Sequence, residues 1–260
     1  MGSLMSNHKI LFIIEGENDE PIFLQRLLST CLGSQEYEIY AYKTNIHILS
    51  QVLYHDYPNF EEDEVDIKLV LKSLEKDECK RDLLGQRYRD VILIFDFEPQ
   101  HDFPHFDTVR RMLSYFNDST TNGKLYINYP MMQSYKHFRE LPDDNFSNKV
   151  IDISELKNYK EIVGAESKFT NLEKYTAVTF YSLAVHHLRK AKYILTGNYE
   201  LPEVQEYLSW TGIELYDKQC EIKDTMKKVF IVNTCIFFLS DFAPDKFLRY
   251  VNTHKNMFDI

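Results

Sequence analysis

Two short acidic stretches, Glu15-Gly16-Glu17-Asn18-Asp19-Glu20 and Asp96-Phe97-Glu98-Pro99-Gln100-His101-Asp102, hold the side chains of this chain best suited to chemistry. Each directly follows an apolar run, Ile10 to Ile14 and Val91 to Phe95, that reads as a strand buried on both faces. Parallel strands point one way, so residues just past their ends gather at one edge of a sheet, where open α/β sheets bind ligands. Carboxylates gathered there repel one another unless a cation or a raised pKa relieves them. Hard oxygen donors favour magnesium, manganese or calcium. Taken alone, Asn18 or Asp19 reads as a helix cap and Asp96 as a turn residue. The second cluster tips the reading toward a shared ion, because Asp96 and Glu98 form an acid-x-acid unit at the mouth of another strand.

The elements that must position these groups alternate. After the first strand, Pro21 falls in the first turn of a helix whose apolar face is Ile22, Phe23, Leu24, Leu27 and Leu28, ending near Gly33. Tyr37 to Tyr42 reads as a second strand and His47 to Tyr54 as a short helix. Glu61 to Asp66 is a solvated charge run before a helix carrying Ile67, Val70, Leu71 and Leu74. The third strand, Val91 to Phe95, leads through the acidic loop to a helix from Asp107 to Phe116. A polar connector, Asn117 to Gly123, precedes a fourth strand from Lys124 to Tyr129, and Pro130 opens a helix reaching Phe138. Strand alternating with helix predicts an α/β fold with a mostly parallel sheet flanked by helices over residues 1–150. Residues 151–260 read as an α-helical domain or cap, with helices at Glu155 to Lys160, Asn171 to Leu195, Pro202 to Trp210, Glu214 to Leu239 and Asp241 to Asn252. Val229 to Leu239 is apolar enough to form a strand instead.

Composition removes several classes. With 30 basic against 40 acidic side chains the net charge is −10, which argues against coating nucleic acid by charge alone, though a bound cation or a local basic face still admits phosphate. Cys31, Cys79, Cys220 and Cys235 stand far apart without ligand spacing, so neither a zinc site nor a disulfide framework is expected, and a reduced, cytoplasmic protein is. The opening Met1-Gly2-Ser3-Leu4-Met5 reads as a cloning leader before a natural Met5, and no stretch approaches a membrane span. The eight glycines are placed so that neither GxGxxG nor GxxxxGK[ST] can be written. Nucleotide hydrolysis, if part of the biology, falls to a separate partner.

Ile13-Ile14-Glu15-Gly16-Glu17-Asn18-Asp19 followed by Ile94-Phe95-Asp96-Phe97-Glu98 resembles the Toprim domain of topoisomerases, primases and OLD-family nucleases. In that family a glutamate after the first strand and an Asp-x-Asp unit after a later one bind magnesium for phosphodiester chemistry. The resemblance spans about the first 150 residues. It implies Glu15, Asp96 and Glu98 as catalytic residues, and Glu15, Asp19, Asp96 and Glu98 as ligands for Mg2+ or Mn2+, with Glu15 as ligand or general base. Glu98 departs from the family aspartate. Relatives carry a further acid near the helix after the fourth strand; here Gln133 stands there, able to hydrogen-bond a metal-bound water or a phosphate. Lys136 and Arg139, with His137, follow it closely and would contact a nucleic-acid backbone.

The chain looks most like small stand-alone Toprim effectors of bacterial anti-phage defence that pair with an ATPase. That resemblance implies a nuclease acting on DNA or RNA, tRNA included, restrained by an ATPase partner, with a homo-oligomer compatible. The competing class is a non-catalytic Toprim-like module docking on a partner protein. A receiver domain also uses acids at strand ends but needs a later strand-end lysine, for which no residue offers itself. Elsewhere, His186-His187 with Arg189, Lys190 and Lys192 is the most basic segment and reads as a solvated face more readily than as a nucleic-acid guide. His101 reads as a hydrogen-bonded loop histidine, and Tyr175, Phe180, Tyr181 and Leu188 as core.

Overall fold

A computed structural model describes residues 9–33, 35–101 and 105–255; the expected leader and Asp102 lie outside them. The first half alternates as expected: β1 (Ile10–Ile14), α1 (Asp19–Cys31), β2 (Tyr37–Ala41), α2 (Ile46–Asp56), α3 (Ile67–Leu74), α4 (Glu78–Leu84), β3 (Asp90–Asp96), α5 (Phe106–Tyr115), β4 (Asn117–Asp118) and β5 (Gly123–Asn128). These strands form one sheet in the order β2-β1-β3-β5-β4, parallel except for the short edge strand β4. All five residues of β1 and the first six of β3 are buried, as continuous apolar runs covered by helices on both faces require. The protein is therefore α/β with a mostly parallel, helix-flanked sheet.

The second half holds β6 (Val150–Asp152), α6 (Tyr159–Glu166), α7 (Ala177–Thr196), α8 (Val204–Leu208), α9 (Ile213–Met226), β7 (Lys228–Phe230), α10 (Phe238–Phe242) and α11 (Pro244–Thr253). Helix α7 is the central element, started by a capping box between Thr176 and Thr179 and ended by Gly197 at φ +83. It packs against α1 and α9, and one apolar core runs unbroken from the sheet through α7 to α11. The change at residue 150 marks a shift in element type rather than a gap in packing. Tyr129 bridges to Val232, Thr234 Oγ1 donates to the Ile127 carbonyl at 2.8 Å, and Cys235 N–H donates to Asn128 Oδ1 at 3.2 Å.

Five expectations need correction. The helix from Pro130 to Phe138 is only a 3-10 turn over Met132–Lys136, because its carbonyls serve other segments: Phe97 N–H donates to Pro130, and the Asn233 amide to Met132 at 3.0 Å. Glu155 to Lys160 is a 3-10 turn (Ile153–Asn158) running into α6. The helix expected over Glu214 to Leu239 stops at Met226, where Lys227 turns left-handed at φ +56, and β7 then pairs antiparallel with β6. The basic segment of α7 is not a solvated face: His186, His187 and Lys190 are fully buried. Ile22 also leaves the apolar face of α1, being 59% exposed.

Candidate functional site

The strand order reverses direction at β1 and β3: β2 lies to one side of β1, while β5 and β4 follow β3 on the other. Beyond the carboxyl ends of these two strands lies the crevice in which open α/β sheets place ligands. Glu15 leaves β1 there and Asp96 ends β3, and Glu15 Oε2 accepts a hydrogen bond from the Asp96 backbone N–H at 3.1 Å. The two acidic stretches, 81 residues apart in sequence, therefore converge. Their electrostatics follow from that closeness. Burial pushes the Glu15 carboxyl up to about 8, with Glu98 and Glu20 adding to the rise against the Asp96 N–H and Lys160. Burial, then Glu15 and Glu20, likewise drive Asp96 well above the carboxylate range, opposed by a hydrogen bond from Asn128, its register partner on β5.

Glu98 lies past β3 with a left-handed backbone, φ +43, an unusual conformation for a side chain with a Cβ and a mark of local strain. Its carboxyl is raised by burial, against the pull of His101 and a hydrogen bond from Asn45. Glu15, Gly16, Lys43, Asn45 and Glu98 line an open cleft of about 430 Å³. Lys43, ion-paired to Glu17 at 2.5 Å, sits at the same cleft, and Lys160, 3.9 Å from Asp19, reaches Glu15 and Glu20 electrostatically from α6.

The remaining expected residues sit differently. Asp19 turns to Gln133, whose Nε2 donates to its Oδ2 at 2.6 Å. Gln133 is buried, and its Oε1 has no hydrogen-bond partner among the described residues. From α1 the carboxylate that acts on both Glu15 and Asp96 is Glu20, one residue further along, and Glu98 acts on both from beyond β3. Lys136 is half-buried over the Tyr135 ring with its carbonyl taken by Ser167, and Arg139 is exposed and paired to Glu166 at 3.6 Å. His137 is buried between Tyr159 and Glu166, and burial lowers it to about 4. Glu20 stood in the acidic stretch and Asn128 at a strand end, so the strand-end argument reaches both; Asn45, the cap of α2, and His47 in its first turn carried no sequence signal.

Gly16 makes Glu20's position testable. A Cβ there would meet Glu20 Oε2 at 2.6 Å, the far end of a flexible side chain. Gly16→Ala is expected to leave the melting temperature nearly unchanged while swinging the Glu20 carboxylate away, which a lowered Glu15 pKa in a carbon-13 NMR titration would report. An unchanged Glu15 titration would remove Glu20 from the site.

The donor chemistry suits a magnesium or manganese ion, which takes one or two carboxylates plus water and substrate phosphate rather than an all-protein cage. Glu15 and Asp96 are the residues that could supply that pair: burial favours a proton on each carboxyl, and a bound cation would take the place of those protons. Among the described residues no three His, Cys, Asp or Glu side chains form a ready-made metal cage. All four cysteines are free, and among the described residues no helix is long and apolar enough to cross a membrane. Comparison with family models, with curated proteins and with solved structures finds no match for this chain.

Proposed function

We propose that this chain is a metal-dependent nuclease of the Toprim kind, cleaving phosphodiester bonds at the β1/β3 edge. The observation that carries the reading is the contact of Glu15 with Asp96 at the strand-order reversal, with both carboxyls raised by burial and by the neighbouring carboxylates Glu20 and Glu98. Glu15, Asp96 and Glu98 would hold Mg2+ or Mn2+, which when bound supplies Lewis-acid polarisation of a phosphate oxygen. Glu15, which burial raises to about 8 in the metal-free fold, would serve as metal ligand or as general base toward an attacking water. Lys43 and Lys160 flank the acids and orient the phosphate. The role as an anti-phage effector restrained by a partner ATPase rests on the sequence resemblance alone, and a cytoplasmic location on the four free, scattered cysteines.

A second reading, a non-catalytic module docking on a partner, is favoured by Gln133: a neutral, buried side chain committed to Asp19 where the resemblance expects an acid. Incubating the protein with labelled DNA, RNA and tRNA plus Mg2+ or Mn2+ separates the two. Cleavage that falls about a hundredfold or more in Asp96→Asn supports the nuclease. Wild-type protein that binds Mn2+ yet cuts none of these, with or without an ATPase partner, supports the module.

A further inference from the structure

Helix α2 carries the residues that set Glu98. His47, 1% exposed, lies in its first turn and uses both ring nitrogens on backbone groups from outside the helix. Nδ1 accepts from the His105 N–H at 3.3 Å, which fixes the tautomer and leaves the proton on Nε2. Nε2 therefore donates to the Glu98 carbonyl at 3.2 Å, an oxygen that also accepts from the His101 N–H. The ring is held edge-on to Phe106 at 5.4 Å and tilted against His101 at 5.0 Å. One residue ahead of the helix, Asn45 caps it by accepting from Ile48 N–H at 3.0 Å and hydrogen-bonds the Glu98 carboxyl. Thus the same turn grips Glu98 at both ends, carbonyl and carboxyl. Since α2 packs against α5, which begins just after His105, the grip is anchored to the body of the fold.

We infer that His47 is a positioning residue of the acidic site, whose neutral imidazole holds Glu98 in its left-handed conformation and so aims its carboxylate into the cleft shared with Glu15. A left-handed glutamate persists only where its surroundings over-determine it. The two backbone hydrogen bonds of His47 and the Asn45 contact supply that constraint. A histidine used this way is a structural strut, with no free nitrogen left to ligate a metal or shuttle a proton. The inference deepens the nuclease reading and rests on it for the purpose of the site, while the clamp itself stands on geometry alone.

The test uses His47→Phe, which keeps an aromatic ring of similar volume and removes both hydrogen bonds, and His47→Gln, which keeps a donor and an acceptor. Manganese titration of the intact protein is expected to weaken about tenfold or more in His47→Phe, as loss of an outer-shell support does, and to recover partly in His47→Gln. Because His47 acts through Glu98, adding His47→Phe to Glu98→Gln is expected to weaken binding no further than Glu98→Gln alone; losses that multiply would reduce His47 to a general packing role. A second readout needs no metal. Amide exchange at His105 is expected to quicken at least about tenfold in His47→Phe while Ile94 in β3 is unchanged, and unchanged exchange at His105 would overturn the clamp. If wild-type protein binds no manganese, the metal reading falls, and the exchange experiment still decides the clamp.

Discussion

Glu15→Gln is expected to yield a protein that no longer cleaves nucleic acid and yet, freed of metal, is more stable than the wild type. The substituted amide keeps an oxygen for the Asp96 N–H and cannot ionise, so it removes the Glu15 charge that raises Asp96. The pH dependence follows from the direction of the shift. The Glu15 carboxyl stands at about 8 in the fold against 4.5 ordinarily, so between these values the folded state holds a proton that the unfolded chain has released. Stability then falls as pH rises through that window, and the full cost is present above about pH 8. A shift of this size corresponds to at most about 5 kcal/mol; partial exposure and sharing with Asp96 reduce the gain expected from the variant to about 2 kcal/mol.

Melting curves in chelator should therefore nearly coincide at pH 4.5 and separate by roughly 4–8 °C at pH 8.5, with the variant higher. Adding Mg2+ is expected to raise the wild-type curve by mass action and to leave the variant where it was. A variant that melts below the wild type at pH 8.5 in chelator would mean that the acids are not in repulsion, and the case for a cation between them would lose its physical basis. Destabilised charge kept at the mouth of a sheet is what a site retained for function, at a cost in stability, looks like.

How far the sequence predicted this arrangement depends on the range of the forces concerned. The strands β1, β3 and β5 were readable because burial on both faces leaves unbroken apolar runs, and the strand-end rule then located Glu15 and Asp96. The choice between Asp19 and Glu20 turns on a single residue. Successive helical residues point about 100° apart, and only the observed entry of α1 turns Glu20 toward Asp96 and Asp19 toward Gln133. Strand β7 overlaps the stretch from Val229 that reads as either helix or strand, and its pairing was hidden because the partner strand β6 lies 78 residues earlier, counting from Val229 to its register partner Ile151. The Glu98 clamp was hidden for the same reason: a histidine at the start of a helix gives no hint that both its nitrogens are spent on a distant loop.

The basic segment of α7 was misread for a reason that itself yields a prediction. Lys190 resembles a surface lysine in sequence, but its Nζ donates to the carbonyls of Phe146 at 2.6 Å and Lys149 at 2.8 Å, and it lies 5.1 and 4.8 Å from the ring centres of Phe146 and Phe230. Burial pushes its pKa well down, with Lys149 adding to the fall. A neutral amine has two N–H groups, matching the two carbonyls, so the site satisfies either protonation state. Lys190→Met keeps most of the volume and abandons both carbonyls in the interior, each costing on the order of 1–3 kcal/mol. A loss of about 3 kcal/mol is expected, read as a fall in melting temperature of roughly 6–12 °C at pH 7. The pH profile supplies the second check. Because folding depresses this amine, the unfolded chain binds the extra proton and the wild-type contribution declines as pH falls below the ordinary lysine range; the variant lacks that slope. The loss should therefore widen from pH 7 to pH 9.5, opposite in sign to the Glu15 trend in the wild type. A variant melting within about 1 °C of the wild type at both pH values would show that the two carbonyls find other donors and that Lys190 does not tie α7 to the segment between Phe146 and β6.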